Sequence, residues 1–374
     1  MREARKGLLA AAIAICAIFA AVADGMAQPQ SRKSHEQEVP PELVSNVEKT
    51  LDPISIESLK SARENLIRYI WKGMDPYKTK PSAVVDGVVT GNLALVVAAD
   101  LKTIYVRYGE RLSGFVEYAR NIGPSPCLAI WAQGHEGIPP NPLMTQGGAS
   151  YLTKQWARGC DVLVVPMPFR NETRIVIDTP KEGHVVVQQG MHDGMSLIDS
   201  PEFSAYRLFF DPLFAGLNWL EESGRRYRSI TMAGVSGGGW MSVVYPAIDT
   251  RITEAVSVAG SLPMFLKYLP TEGRFRDIGD WEQHFAPFYR IASYYELYLL
   301  SALGDGRRQT LIYNYVDPCC YSGKRAMAFL PQLKRKAEQL RIHLQSMVDS
   351  SHDKHDISES AISAVMGGGA ALAE

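Results

Sequence analysis

Excess charge of either sign is missing from this chain: 39 lysines and arginines stand against 40 aspartates and glutamates, a formal net charge of −1 over 374 residues. A surface without a basic footprint offers little to a phosphate backbone, which argues against nucleic acid as a partner. Beyond the N-terminus there is no apolar run of the roughly 20 residues that a membrane-spanning helix needs, and there is no internal repeat. His352, Asp353, His355 and Asp356 stand close together near the end of the chain. These come from one short loop without a second ligand group of matching spacing, so a metal cluster is set aside there. Cysteine is sparse, with five residues.

What is present is apolar residue in quantity. At 46% hydrophobic composition the chain can bury a large core, as one domain with insertions. Residues 1–27 read as an export signal: Arg2, Arg5 and Lys6, then the apolar stretch Leu8 to Val22, then Gly25-Met26-Ala27 as small residues for cleavage. Cys16 lacks the preceding small residues of a lipoprotein site. The expectation is a periplasmic or secreted chain without a membrane span after cleavage. An oxidising compartment permits disulfides, and Cys127 and Cys160 each precede a predicted strand, so neighbouring parallel strands can bring them together. Cys319 and Cys320 are adjacent in sequence. Free buried thiols remain the alternative for both pairs.

Residues 28–100 form an N-terminal extension. In it Ile56, Leu59, Leu66, Ile67 and Ile70 fall at helical spacing up to Trp71, with Gly73 as a stop. Runs at 93–97, 103–108 and 114–118 predict an antiparallel meander. The pattern then changes. Cys127 to Ala132 and Asp161 to Pro166 are continuous apolar runs, as in strands buried on both faces, with a crossover helix at 145–156 between them. Such alternation implies a parallel sheet. A long connection rich in Gly, His and Asp, 170–200, is of the kind that lines sites. A helix from Phe203 to about Gly224 follows, then the strand into Ser236, a helix at 241–249 and a strand at 254–259. Residues 261–304, aromatic and partly helical, read as a lid-like insertion over the carboxyl ends of the strands, or as an added packing layer. A strand at 310–316, a helix at 324–340, a short strand at 341–344 and a helix at 357–366 complete the chain.

One stretch carries chemistry. Gly234-Val235-Ser236-Gly237-Gly238 fits G-x-S-x-G, a strand-to-helix turn that exposes a serine hydroxyl above a sheet, so Ser236 is the candidate nucleophile. An acyl-transfer serine needs a base, a carboxylate that orients the base, and donors for the developing oxyanion. Asp317 follows a strand and is the candidate acid, ahead of Asp305, which glycines flank in a tight turn. His355 is the candidate base, with His352 the alternative three residues earlier. The backbone N–H groups of Gly237 and of His135, in Gln133-Gly134-His135, are the candidate oxyanion donors.

Gly134-His135 after an early strand, the Gly234–Gly238 turn, Asp317 after a late strand and His355 near the end stand in the order found in the α/β-hydrolase superfamily, which the chain resembles from about Ile104 to Met366. The resemblance implies an eight-stranded, mostly parallel sheet flanked by helices over 101–374, a Ser236/Asp317/His355 triad, and no metal or organic cofactor. It is most similar to exported esterase-like members whose turn continues Gly-Gly-Trp. The activity it implies is carboxylic ester hydrolysis of a small-molecule substrate. A peptidase or amidase acting on a peptide-like substrate through the same triad, and a catalytically silent binding protein, are the alternatives.

Overall fold

Alternating side chains in the buried runs are sorted onto two faces of one sheet, because successive residues of a strand point to opposite sides. In Cys127–Ala132, for example, Leu128, Ile130 and Ala132 enter one buried cluster while Ala129 and Trp131 enter the other. The structure, a computed structural model, describes residues 39–90, 93, 96–109, 112–135, 145–169, 174–179, 183–188, 192–269 and 277–367. All lie within one unit of the chain, His35–Glu374. The expected export segment lies outside the described residues, as do residues 94 and 95 of the expected strand at 93–97. Leu93, Val96 and Val97 are not in a strand, and the Val96 N–H donates to Leu93 O at 3.2 Å in a turn instead.

Helix α1 spans Pro41–Leu51 and α2 spans Ile56–Trp71. Ser55 and Ser58 cap α2 reciprocally, and its Leu59, Leu66 and Ile70 are buried, as their spacing requires. The strands are β1 (Ala83–Asp86), β2 (Asp100–Tyr108), β3 (Leu112–Arg120), β4 (Cys127–Ala132), β5 (Asp161–Val165), β6 (Arg174–Thr179), β7 (Gly183–Gln188), β8 (Ser229–Val235), β9 (Glu254–Val258), β10 (Arg308–Asn314) and β11 (Leu344–Asp349). Between them run the longer helices α3 (Gln146–Ala157), α4 (Arg207–Glu222), α5 (Gly237–Ile248) and α6 (Leu330–Gln339), and α7 (Glu359–Met366) closes the fold.

Among the described residues the main sheet has nine strands, in the order β1-β2-β3-β5-β4-β8-β9-β10-β11. The expected number was eight, and the ninth is the short edge strand β1, paired antiparallel to β2. β1, β2 and β3 form the antiparallel end, while β5, β4, β8, β9, β10 and β11 are mutually parallel. After β4 the chain moves to β5 on one side and later returns to β8 on the other. The strand order therefore reverses at β4, and the crevice beyond the carboxyl ends of β4 and β8 is where open α/β sheets bind ligands.

Three further expected elements differ. The helix expected over 324–340 is two pieces, Gly323–Ala326 and α6: Pro331 sits in the first turn of α6, where a missing N–H costs nothing, whereas inside one continuous helix it would remove a hydrogen bond and clash with the preceding turn. The strand expected at 341–344 is β11, later by several residues: Arg341 takes a positive φ of 56° as the chain leaves α6, so pairing with β10 starts only at Leu344. The connection 170–200 carries a hairpin of its own, β6 with β7, and a 3-10 turn at His192–Leu197. Cys127 and Cys160 are bonded to each other. They stand just ahead of the paired positions Leu128 and Asp161 on adjacent parallel strands, at the end of the sheet opposite the crevice. Cys319 and Cys320 are also bonded to each other.

In the segment 261–304, Trp281, Phe288, Tyr294, Leu297 and Tyr298 are buried in the main core. Tyr206 stacks on Phe288 and lies against Trp281 and Trp240, which joins this segment to α4 and α5.

Candidate active site

Ser236 stands between the last residue of β8 and the first of α5, with φ 60° and ψ −126°. An L-residue avoids this conformation, and a side chain held in it is one that the surrounding structure over-determines. Two backbone hydrogen bonds fix it: the Ser236 N–H donates to Val258 O at 2.9 Å, and Trp240 N–H donates to Ser236 O at 2.9 Å. The sharp turn requires backbone to touch backbone. A Cβ on Gly234 would lie 2.4 Å from Gly238 C, and one on Gly238 would lie 1.9 Å from Ala132 O. The glycines on either side of the serine are thus sterically demanded by the strand-to-helix reversal.

The loop after β4 lies directly on this turn. A Cβ at Gly134 would meet Ser236 Cβ at 3.2 Å and Gly237 N at 3.7 Å, and one at Gly237 would come within 2.9 Å of His135 Nδ1 and Cε1. Gly237 and His135, the two residues expected to supply oxyanion donors, are therefore neighbours beside Ser236.

Asp317 lies three residues beyond β10, at the same edge of the sheet. Its side chain is buried, and each carboxylate oxygen is engaged. Oδ1 accepts the backbone N–H groups of Cys319 at 2.8 Å and Cys320 at 3.0 Å, and Oδ2 accepts Asn314 Nδ2 at 2.9 Å. His355 Nδ1 is 2.9 Å from both oxygens. This is the arrangement that selects one imidazole tautomer and orients the ring. The bonded Cys319–Cys320 pair lies beside that ring, with Sγ atoms and the His355 ligand atom all within 4.8 Å of one another.

His352 goes elsewhere. Its Nε2 faces Asn314 Oδ1 at 3.2 Å and Asp349 Oδ2 at 3.4 Å, so the structure brings His355, and not His352, onto Asp317. Asp356 caps the start of α3 by accepting Gly147 N–H at 3.0 Å. The loop from Asp349 to Ser358 is held at its base by Asp349, which accepts the Ser351 N–H at 2.9 Å, the Ser351 hydroxyl at 2.7 Å and the Ser358 hydroxyl. Burial pushes the Asp349 carboxyl up, but the hydrogen bonds from Ser358 and Ser351 outweigh it and hold the group below the ordinary aspartate value.

Two sets of residues escape a reading of the sequence. Asn314 is one: its amide donates both to Asp317 and to the Lys354 carbonyl at 3.0 Å, tying the acid loop to the histidine loop. A polar residue at the end of an apolar run carries no signal of that role. The other set is His192, Asp280 and Glu282, which converge on the His135 side chain. His192 and Glu282 are fully buried, with Nδ1 and Oε2 2.9 Å apart. Burial pushes the His192 imidazole down, but the Glu282 and Asp280 carboxylates and the Pro168 carbonyl together push it up by more, so it lies above its ordinary value. The signal for His192 was its place in the Gly-, His- and Asp-rich connection; Asp280 and Glu282 had none.

No protein-family model matches the sequence, and no curated protein matches it. Solved structures do match. Methylesterase BT1017 is 13% identical and has a TM-score of 0.57 over 89% of this chain and 68% of its own. Acetyl xylan esterase 1 from Thermoanaerobacterium sp. JW/SL YS485 is 12% identical, with a TM-score of 0.46 over 93% of this chain and 99% of its own. The acetyl xylan esterase from Paenibacillus sp. R4 is 13% identical, with a TM-score of 0.48 over 89% of this chain and all of its own. With the strand order and the turn at Ser236, the first of these likenesses shows that the chain has the α/β-hydrolase fold.

Proposed function

We propose that this chain is an exported serine hydrolase that cleaves carboxylic esters, with Ser236 as nucleophile, His355 as base and Asp317 as the group that orients the base. One observation carries the reading: a serine in a left-handed turn at the end of β8 shares a sheet edge with a histidine whose Nδ1 is held 2.9 Å from a buried carboxylate. With Nδ1–H donated to Asp317, Nε2 carries the lone pair that takes the serine proton. The alkoxide adds to the ester carbonyl, and the oxyanion is met by the N–H groups of Gly237 and His135. One such donor contributes about 10²–10³ in kcat. The imidazolium protonates the leaving alcohol, and water activated by the same histidine then releases the acid.

Ester rather than amide is favoured by the shared fold with a methylesterase, and the bonded Cys127–Cys160 pair supports an oxidising compartment outside the cytosol. The test is kcat/KM on p-nitrophenyl acetate against the matched p-nitroanilide. The ester is expected to be turned over well above the anilide, and a preference for the anilide would replace esterase by amidase.

A further inference from the structure

We propose that His135, His192, Asp280 and Glu282 form a binding site for one divalent first-row transition-metal ion, zinc foremost, beside the turn that carries Ser236. The four residues come from three segments far apart in sequence: the loop after β4, the 3-10 turn His192–Leu197, and the short helix Trp281–His284 with Asp280 at its start. One ligand atom from each lies within 4.8 Å of the others. His135 Nε2 is 3.2 Å from His192 Nδ1, 3.2 Å from Asp280 Oδ2 and 4.0 Å from Glu282 Oε1, and His192 Nδ1 is 2.9 Å from Glu282 Oε2. A tetrahedral ion about 2.0–2.2 Å from each ligand sets ligands roughly 3.4 Å apart, which is the scale of these separations.

Protons alone serve this cluster poorly. Two ring nitrogens face each other while each also faces a carboxylate. A proton shared between the rings withdraws a donor from a carboxylate, and two protons aimed at the carboxylates set like N–H groups side by side. A cation between them satisfies all four. Two further observations point the same way. Among the described residues, Glu282 Oε1 is buried without a hydrogen-bond partner, and a buried anionic oxygen calls for a facing positive charge. The His192 Nε2 faces Pro168 O at 3.2 Å; donating there leaves the Nδ1 lone pair to the cluster, the outer hydrogen bond by which proteins orient metal-bound imidazoles. Two imidazoles with two carboxylates suit zinc and its neighbours rather than calcium or magnesium.

The site departs from the sequence-based expectation of no metal. Its role follows from His135, whose ring lies over Gly237: the ion clamps the loop that holds the second oxyanion donor, and positions that donor without contacting the reacting atoms.

The experiment uses the full chain without a histidine tag, stripped with EDTA, equilibrated with zinc sulfate and desalted. Zinc per chain is read by mass spectrometry, and the thermal midpoint is read with and without zinc. Expected are one zinc per chain and a raised midpoint, with both lost in Glu282→Gln and zinc held at least tenfold more weakly in Asp280→Asn. Asp280 is partly exposed, so the second variant serves if the first does not fold. Zinc well below one per chain with an unmoved midpoint overturns the proposal, and so does zinc held equally by the wild type and Asp280→Asn. Neither readout depends on Ser236, so the hydrolase reading stands or falls separately.

Discussion

His355 Nδ1 lies 2.9 Å from both carboxylate oxygens of Asp317, although 38 residues separate them in sequence. Two parallel strands make the meeting possible. β10 and β11 run side by side in register, Asn314 opposite Asp349, so the loops that leave them start at the same edge. Asn314 then fixes both loops from beneath.

Asp317→Asn keeps the shape of the acid but gives up its charge and its power to hold the imidazole tautomer. We expect kcat on an ester substrate to fall by about 10⁴, with KM and the thermal midpoint little changed. A loss under tenfold in kcat would mean that another carboxylate orients His355.

Gly238→Ala tests the turn itself. The added methyl would sit 1.9 Å from Ala132 O, and backbone cannot yield as a flexible side chain does. We expect a loss of stability of about 3 kcal/mol or more together with loss of activity. Urea unfolding measures the first; an unchanged midpoint would show that the turn is looser than described.

Asp349 gives a pH dependence with a defined sign. Its carboxyl is held below the ordinary aspartate value in the folded chain, so the unfolded state binds the proton more readily. The stabilisation is full above about pH 4, the ordinary aspartate value, and is lost as pH falls through the lower folded value. We expect the gap in thermal midpoint between wild type and Asp349→Asn to be widest near neutral pH and to narrow below about pH 4. A gap that widens on acidification would contradict the assignment.

Much of this fold was legible because the central strands are buried on both faces. The apolar runs at Cys127–Ala132, Asp161–Val165 and Glu254–Val258 mark strands wherever they are read, and the crowded glycines around Ser236 mark the turn. Legibility fails at the rim. β11 carries Gln345 and Ser346 at the sheet edge, where water tolerates polar residues and the pattern weakens, so Arg341–Leu344 imitates a strand more convincingly. The pairing of His355 with Asp317 could be anticipated because each follows a strand. The meeting of His135, His192, Asp280 and Glu282 could not, since the path of three connecting segments decides it and no local pattern encodes that path.

The most direct test of Ser236 as nucleophile is covalent labelling by a fluorophosphonate probe, with the adduct located by peptide mass spectrometry. The account predicts one adduct, on Ser236, with labelling abolished in Ser236→Ala and slowed by orders of magnitude in His355→Ala. An adduct on another residue, or unchanged labelling when residue 355 is alanine, would contradict it.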